Sequence, residues 1–269
     1  RSFAQLPPGE NPLVMSLVRR LPEVSEIPES ERAGLVSRAE TILRGEILPA
    51  YQRQIEALQA VRERATNDAG IGGRPQGGAM YEVALRNYTT TSMTADEIHN
   101  MGLELITQLN SESDAILRAQ GLTRGTVAER VASIGSRPGQ RYPNTDAGRE
   151  QLLADLNTQV QAIQARMGEQ FTRLAQAPLE IRRVPPTIEA GSPGGYYQPA
   201  ALDGSRPGAY YINLRDTAEW PRFELPTLSY HEGVPGHHWQ IAIQQEAGEL
   251  PFFRTALSFF GAFIEGWGL

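Results

Sequence analysis

The chain has 269 residues, of which 40% are hydrophobic and 21% are charged, so it can bury a substantial core and does not belong to the disordered class. Its formal net charge is −6, and the Lys and Arg residues are scattered along the sequence, which argues against nucleic acid as a partner. Cysteine is absent, which excludes disulfides, thiolate nucleophiles and thiolate metal ligands.

Neither a membrane span nor a signal peptide is predicted. The longest apolar stretch, from 252 to 269, is interrupted by Arg254 and Glu265, and the amino end lacks a basic segment followed by an apolar one. A protein without cysteine suits the cytoplasm and equally the bacterial periplasm or secretion, so each compartment stays open. Because the sequence opens at Arg1 and stops at Leu269 within an apolar segment, we expect an internal fragment of a longer chain.

The first part of the sequence predicts helices. From Pro28 to about Ala65 the apolar residues recur at helical spacing, with a bend expected at Pro49. A glycine-rich stretch over 67–78 predicts a loop, and a short helix follows over 80–88.

Two Thr-x-x-Glu capping boxes predict the starts of further helices. Thr94 with Glu97 begins a helix over 95–118, and Thr126 with Glu129 begins a shorter one. A long helix is expected after Asp146, on which apolar residues recur at threes and fours as far as Leu174, and we expect the two long helices to pack together.

After Pro178 the pattern changes to that of strands. Residues 179–184 alternate at period two, and 209–214 are rich in β-forming residues, with Gly/Pro loops over 191–208 between them. Helical signals return over 224–246 and 253–267. The expected fold is mainly α: a helical region over 1–177, continuous with a region over 178–269 that holds a small sheet and the helices after it.

Three of the four histidines fall in the segment from 231 to 238, in the order His231, His237, His238, with Glu232 directly after the first. Without thiolates, zinc binds imidazole nitrogens and carboxylates, and a catalytic zinc keeps one position open for water. A glutamate beside a ligand can then take a proton from that water, as in His-Glu-x-x-His peptidases. The alternative is a polar turn with ordinary surface histidines. The fourth histidine, His99, follows a capping box inside an amphipathic helix, so a helix-packing or surface role is favoured for it over a catalytic one.

The spacing of these histidines does not suit a regular helix. Four residues after His231 stands Pro235, and six residues of helix separate two ligands by roughly 9 Å and turn the second about 240° away. Gly233, Pro235 and Gly236 can distort the helix, so that His237 becomes the second ligand. In that case His238 orients the site, binds substrate or faces the core, and His238 remains the alternative second ligand.

Glu265 is the expected third ligand. It is the one carboxylate in an otherwise apolar stretch, and a buried carboxylate needs a partner. A helix after His237, a turn at 248–251 and a return helix would bring Glu265 to the same metal. An ion pair of Glu265 with Arg254 or Arg222 is the alternative.

The segment Tyr230-His-Glu-Gly-Val-Pro-Gly-His-His-Trp-Gln240, followed by Glu265-Gly-Trp-Gly-Leu269, resembles the family catalogued as domain of unknown function 885. Further stretches share the resemblance: Gly77 to Tyr81, Thr89 to His99, Arg182 to Pro186, and Asp203 to Asn213. Members are regarded as candidate zinc metallopeptidases and are longer than this chain. The resemblance implies a helical, gluzincin-like peptidase domain with the small sheet placed before the metal-binding helix, and a fragment that is by itself inactive if it lacks the residue that stabilises the oxyanion.

Tyr210 and Tyr211 lie in the predicted strand upstream of the histidine cluster. Peptidases of this broad kind often pair an extended substrate with an edge strand, so both tyrosines, together with His238, are candidates for substrate binding. A half-buried strand without a binding role would show the same pattern.

The expected function is that of a zinc-dependent hydrolase, by first choice a metallopeptidase acting on a peptide or small amide substrate. Zn²⁺ on His231, His237 and Glu265 would activate water, with Glu232 as the general base. A non-catalytic, metal-stabilised peptide-binding protein and a zinc hydrolase of a non-peptide amide or ester are the alternatives. The sequence leaves the oligomeric state and the endo- or exopeptidase mode open.

Overall fold

A computed structural model of the chain describes residues 2–248, 250–256 and 260–269. Over these residues the fold is mainly α with one small three-stranded sheet, which confirms the predicted fold class. The chain forms two compact units, Arg1–Gly70 and Ile71–Leu269. No helix of the described part is both long enough and apolar enough to cross a membrane.

The first unit is built from four α-helices: α1 (Ser2–Gln5), α2 (Pro12–Arg20), α3 (Glu29–Ile42) and α4 (Leu48–Glu63). The single helix predicted from Pro28 to Ala65 is therefore two helices, joined by a π-helical turn over Leu43–Ile47. Pro49 has no N–H to donate to the carbonyl group of Gly45, so the helix is weakest where the π turn lies, just ahead of the predicted bend.

The second unit begins with four helices: α5 (Gly77–Thr89), α6 (Ala95–Ala119), α7 (Val127–Gly135) and α8 (Asp146–Gln164). Both predicted capping boxes are confirmed, and at the first of them the backbone N–H of Glu97 donates to the Thr94 hydroxyl oxygen at 3.2 Å. Helix α8 ends at Gln164, ahead of the predicted limit, and its apolar pattern continues into a 3₁₀ turn in which Met167 is buried.

The sheet has the order β1-β3-β2, with β1 at Leu179–Arg183, β2 at Gly195–Gln198 and β3 at Gly208–Ile212. Strand β3 runs parallel to β1 and antiparallel to β2, and Tyr210 of β3 is opposite Ile181 on one side and Tyr197 on the other. The sequence predicted β1 and β3. It did not predict β2, an edge strand of four residues inside the stretch interpreted as loops, because so short a strand beside glycines gives no alternating pattern.

Among its described residues, the second unit has four more helices: α9 (Leu225–Glu232), α10 (His237–Gln245), α11 (Phe252–Ala256) and α12 (Gly261–Gly268). The helix predicted over 253–267 thus corresponds to α11 and α12, and 257–259 lie outside the described residues. Helix α8 contacts α9 and β1, while α6 contacts α7, so the expected packing of α6 on α8 is not among the main helix contacts of the described residues.

The core of the second unit lies between α8, the sheet and α9. Its fully buried members include Leu152 and Leu156 of α8, Ile212 of β3 and Leu225 of α9. A second cluster of Val160, Met167, Val234 and Trp239 joins α8 to α10. Helix α8 and the sheet therefore form the platform on which the segment between α9 and α10 rests.

Replacing Leu156 with alanine tests this platform. The Leu156 side chain has no exposure to solvent, so Leu156→Ala leaves a cavity and is expected to lower the free energy of unfolding by about 3 kcal/mol. The matched control on the same helix is the exposed Gln161, where Gln161→Ala should change stability by less than about 0.5 kcal/mol. Equilibrium urea denaturation measures both, and equal effects of the two substitutions would contradict the assignment of this core.

Candidate metal centre

The centre is built around a break between two helices. Helix α9 carries His231 and Glu232 in its last turn, and α10 begins at His237. Between them, the backbone N–H of Gly236 donates to the carbonyl oxygen of Tyr230 at 2.8 Å, and the Val234-Pro235 peptide bond is cis. The expected distortion is therefore a complete interruption, after which the chain starts a new helix.

Close backbone packing at the break depends on glycine. A Cβ atom at Gly236 would lie 1.9 Å from the carbonyl oxygen of His231, and one at Gly233 would lie 2.7 Å from the carbonyl oxygen of Ser229. Neither neighbouring atom is the end of a flexible side chain, so no other residue fits without moving the backbone that carries the histidines.

His231, His237 and Glu265 come together from three helices, α9, α10 and α12. One ligand atom from each lies within 4.8 Å of the others. Oε2 of Glu265 is 3.5 Å from Nε2 of His231 and 3.6 Å from Nε2 of His237, and the two imidazole centroids are 4.3 Å apart at an interplanar angle of 67°.

This donor set fits zinc. Two imidazole nitrogens and one carboxylate oxygen are ligands that zinc accepts, and bonds of about 2.1 Å in a tetrahedral arrangement separate neighbouring ligand atoms by about 3.4 Å. The two measured nitrogen-to-oxygen distances, 3.5 Å and 3.6 Å, are close to that value. Three protein ligands would also leave a fourth position open, as in catalytic zinc sites.

Helix α12 is attached to the break by contacts beside Glu265. The indole N–H of Trp267 donates to the carbonyl oxygen of Pro235 at 2.7 Å. A Cβ atom at Gly268 would lie 2.7 Å from Nδ1 of His231, so glycine lets α12 approach the first histidine. Trp267 and Gly268 were not predicted as site residues, although the Gly-Trp-Gly sequence after Glu265 was the available signal.

Glu232 lies beside this cluster and is 6% exposed. Its Oε2 atom is buried and has no hydrogen-bond partner among the described residues. Burial raises the pKa of Glu232 to about 7, the negative charge of Glu265 adds to the rise, and His231 and the backbone amide of Tyr197 oppose it. The carboxyl group therefore sits where it can either accept or hold a proton near neutral pH.

His238 points away from the cluster. It is 1% exposed, its Nδ1 lies 3.0 Å from the hydroxyl oxygen of Tyr197, and its Nε2 lies 3.1 Å from the carbonyl oxygen of Ala177. Burial lowers the pKa of His238 to about 4, so the ring is neutral. The structure thus places His237, and not His238, beside His231 and Glu265.

The two tyrosines predicted to bind substrate have different surroundings. Tyr210 is fully buried in the core cluster, because the alternation of β3 turns it inwards, so it does not line an open cleft. Tyr211 is half-buried and stacks on Tyr196 with ring centroids 4.9 Å apart. Arg222, one alternative partner for Glu265, instead pairs with Asp155 at 2.8 Å.

The fold and the site define a mainly helical protein with two histidines and a glutamate gathered at a break between helices. The chain belongs to the family described as "Bacterial protein of unknown function (DUF885)", whose model matches residues 1–269. The resemblance noted from the sequence motifs is thereby confirmed at the level of the family.

A solved crystal structure has the same fold. It is described as that of "the putative lipoprotein from Colwellia psychrerythraea" and matches with a TM-score of 0.96 and 33% sequence identity. The match covers 99% of this chain and 46% of that one, so this chain spans less than half the length of its structural relative. No curated protein matches the chain.

The glycine requirement at the break can be tested by stability. Gly236→Ala forces a Cβ atom against two backbone carbonyl groups and is expected to lower the free energy of unfolding by about 3 kcal/mol. Gly266→Ala in α12 is the control, because nothing lies within 4 Å of the added carbon, and it should be at least as stable as the parent, with a gain of up to about 1 kcal/mol from the higher helix propensity of alanine. Thermal denaturation followed by circular dichroism measures the difference, and a Gly236→Ala protein as stable as the parent would refute the close approach.

Proposed function

We propose that this chain forms the zinc-binding core of a metallopeptidase, in which His231, His237 and Glu265 hold the ion and Glu232 is the general base. The proposal rests on the convergence of three ligand atoms beside a buried carboxylate whose Oε2 has no partner among the described residues. When bound, zinc supplies a Lewis acid that polarises a carbonyl group and lowers the pKa of a water molecule.

The side chains suit these roles in their protonation states. Burial lowers the pKa of His237, so its imidazole is neutral at neutral pH and has a nitrogen lone pair to offer a metal. Glu232 can take a proton at Oε2 from a water molecule that attacks a carbonyl carbon, and can return it to the leaving amine. Burial raises the pKa of Glu232, which makes its carboxylate a stronger base toward that water molecule.

The three-ligand set favours a catalytic over a purely structural metal site, because structural zinc sites are closed by four protein ligands. Hydrolysis of a non-peptide amide or ester would use the same groups, so the substrate class is part of the proposal. The crystallised relative is described as a "putative lipoprotein". That description favours the periplasmic or secreted alternative over the cytoplasm for this chain.

Zinc binding is tested first, on the protein at its full natural length. His237→Ala removes one of three ligands and is expected to weaken zinc binding at least about 100-fold, since loss of even a supporting partner costs about 10- to 100-fold. The control is His99→Ala on the exposed face of α6, which should bind one zinc ion per chain as the parent does. Competition with a chromogenic chelator measures the affinity. If the parent takes up no zinc, or if both variants bind like the parent, the site assignment is wrong.

The general base is tested with zinc in place. Glu232→Gln keeps the shape of the side chain but cannot take the proton, so kcat on a peptide library should fall by about 10²- to 10⁴-fold while zinc content is unchanged. Glu150→Gln, an exposed glutamate on α8, is the matched control and should keep the parent rate. A Glu232→Gln variant with parental kcat would overturn the role given to Glu232.

The same assay separates the alternatives. Hydrolysis of peptides by the zinc-loaded parent supports the peptidase, whereas hydrolysis confined to ester or non-peptide amide substrates supports the other hydrolase. Peptide binding without cleavage, identical in the parent and in Glu232→Gln, is the result expected of a non-catalytic binding protein.

A further inference from the structure

The hydrogen bonds of His238 fix its tautomer. The carbonyl oxygen of Ala177, 3.1 Å from Nε2, can only accept a hydrogen bond, so Nε2 carries the proton and donates it. Nδ1 must then accept, and the group 3.0 Å away is the hydroxyl of Tyr197. Burial raises the pKa of Tyr197 to about 12, so its hydroxyl keeps the proton that it donates to His238.

Tyr197 is held on several sides. Its hydroxyl also interacts with the backbone N–H of Ala200. A Cβ atom at Gly208 of β3 would lie 2.6 Å from the Tyr197 hydroxyl oxygen and 2.7 Å from Nδ1 of His238, so the pair occupies a space that only glycine leaves free. The two rings meet edge-on, with centroids 5.5 Å apart.

The residue that accepts the Nε2–H bond of His238, Ala177, is itself bonded to the end of α10. The carboxylate of Glu246, directly after α10, accepts the backbone N–H of Gln176 at 2.9 Å and that of Ala177 at 2.8 Å. Ala177, whose carbonyl group receives the His238 proton, is thereby tied to the helix that carries His238. The end of the loop that leads into β1 is thereby fixed relative to α10.

Tyr197 also contacts the proposed general base, Glu232. The backbone amide of Tyr197 interacts with the carboxyl group of Glu232. Strand β2 is an edge strand, bonded to β3 on one side only, so the sheet alone holds it loosely. The Tyr197 side chain thus connects the β2 backbone, which contacts the Glu232 carboxyl group, to His238 of α10.

We infer that Tyr197 and His238 are positioning residues: through the Tyr197 hydroxyl and Nδ1 of His238 they hold the β2 backbone against Glu232, and so orient the general base. This inference rests on the proposed function of Glu232. It also gives His238 a role other than metal ligand or substrate contact, because both of its ring nitrogens are already bonded inside the protein.

Tyr197→Phe is the decisive variant, because it removes one oxygen atom and keeps the ring. We expect kcat to fall by about 10- to 100-fold, with KM within about twofold of the parent and zinc content unchanged, since a displacement of about 1 Å at a reacting group can cost about 100-fold. The control is Tyr196→Phe on the same strand, which keeps its stacking on Tyr211 and should retain the parent kcat.

Three results would overturn the inference. These are a parental kcat in Tyr197→Phe, a rise in KM alone, which would make Tyr197 a substrate contact, and a joint loss of zinc and activity, which would make the pair a support of the metal ligands.

Two substitutions of His238 separate its two hydrogen bonds. In His238→Asn the side-chain oxygen lies near the place of Nδ1 and can still accept from Tyr197, whereas in His238→Gln the amide nitrogen lies near the place of Nε2 and can still donate to Ala177. A positioning role predicts that His238→Asn keeps at least about tenfold more kcat than His238→Gln. Equal activities of the two variants would contradict the proposed direction of the contact.

Nuclear magnetic resonance tests the link between Tyr197, His238 and Glu232 without any need for hydrolysis. If the parent hydrolyses no substrate, the proposed function is wrong, and the link can still be tested in this way. With ¹⁵N-labelled histidine, His238 should show the Nε2-protonated tautomer in the zinc-loaded parent. With glutamate labelled with ¹³C at its carboxyl carbon, the Glu232 signal, assigned by its absence in Glu232→Gln, should move in Tyr197→Phe and stay in Tyr196→Phe. An unmoved Glu232 signal in Tyr197→Phe would refute the link between the hydroxyl and the carboxyl group.

Discussion

The close approach of Gly236 to the carbonyl groups of Tyr230 and His231 is the constraint on which the rest of the site depends. A continuous helix would place His237 roughly 9 Å along the axis from His231 and about 240° around it, too far for both to bind one ion. Ending α9 at Glu232 and starting α10 at His237 removes that separation, and the ring centroids lie 4.3 Å apart. The break is held by the core, because Val234 within it is buried against α8 and Trp239.

Two buried polar residues, one on each side of this break, differ in their hydrogen bonding. His238 is buried but both of its ring nitrogens are bonded, so its burial costs little and its position is fixed. Glu232 is also buried, yet one carboxyl oxygen has no partner among the described residues, and desolvation destabilises its charged form. A buried polar atom without a hydrogen-bond partner is expected at a catalytic or binding site, whereas a fully hydrogen-bonded side chain is expected in a structural role. The structure thus distinguishes Glu232, the residue proposed to react, from His238, the residue proposed to hold it in position.

The sequence predicted the features that depend on residue type and local pattern. These include the capping boxes at Thr94 and Thr126, the strands β1 and β3, and the convergence of two histidines with Glu265. Features that depend on the path of the backbone could not be predicted. The choice between His237 and His238 is set by where α10 begins, because a shift of one residue would put His238 in the place of His237. Strand β2 was missed because its pairing with β3, and not its own four residues, makes it a strand.

The amphipathic patterns predicted where the helices lie in the sequence but not which elements they pack against. An apolar stripe shows that a helix packs against another element and does not identify that element. Helix α8 was therefore expected on α6, whereas its main contacts among the described residues are with α9 and β1. The burial of Tyr210 was not predicted for a related reason. The alternating pattern of a strand does not tell which face of the sheet is covered by helices, and α8 and α9 cover the face that carries Tyr210.

The three helices that carry His231, His237 and Glu265 differ in how far burial fixes these side chains. The side chains of His231 and His237 are 26% and 11% exposed, whereas that of Glu265 is 52% exposed, so burial does little to fix the carboxylate. Its attachment to the break is the hydrogen bond from Trp267 to Pro235 and the close contact of Gly268 with His231. An ion bound to all three residues would add a further restraint between α12 and the other two helices. Metal binding and the ordering of α12 are therefore expected to be coupled, because the free energy of ligation would act first on the ligand that packing holds least.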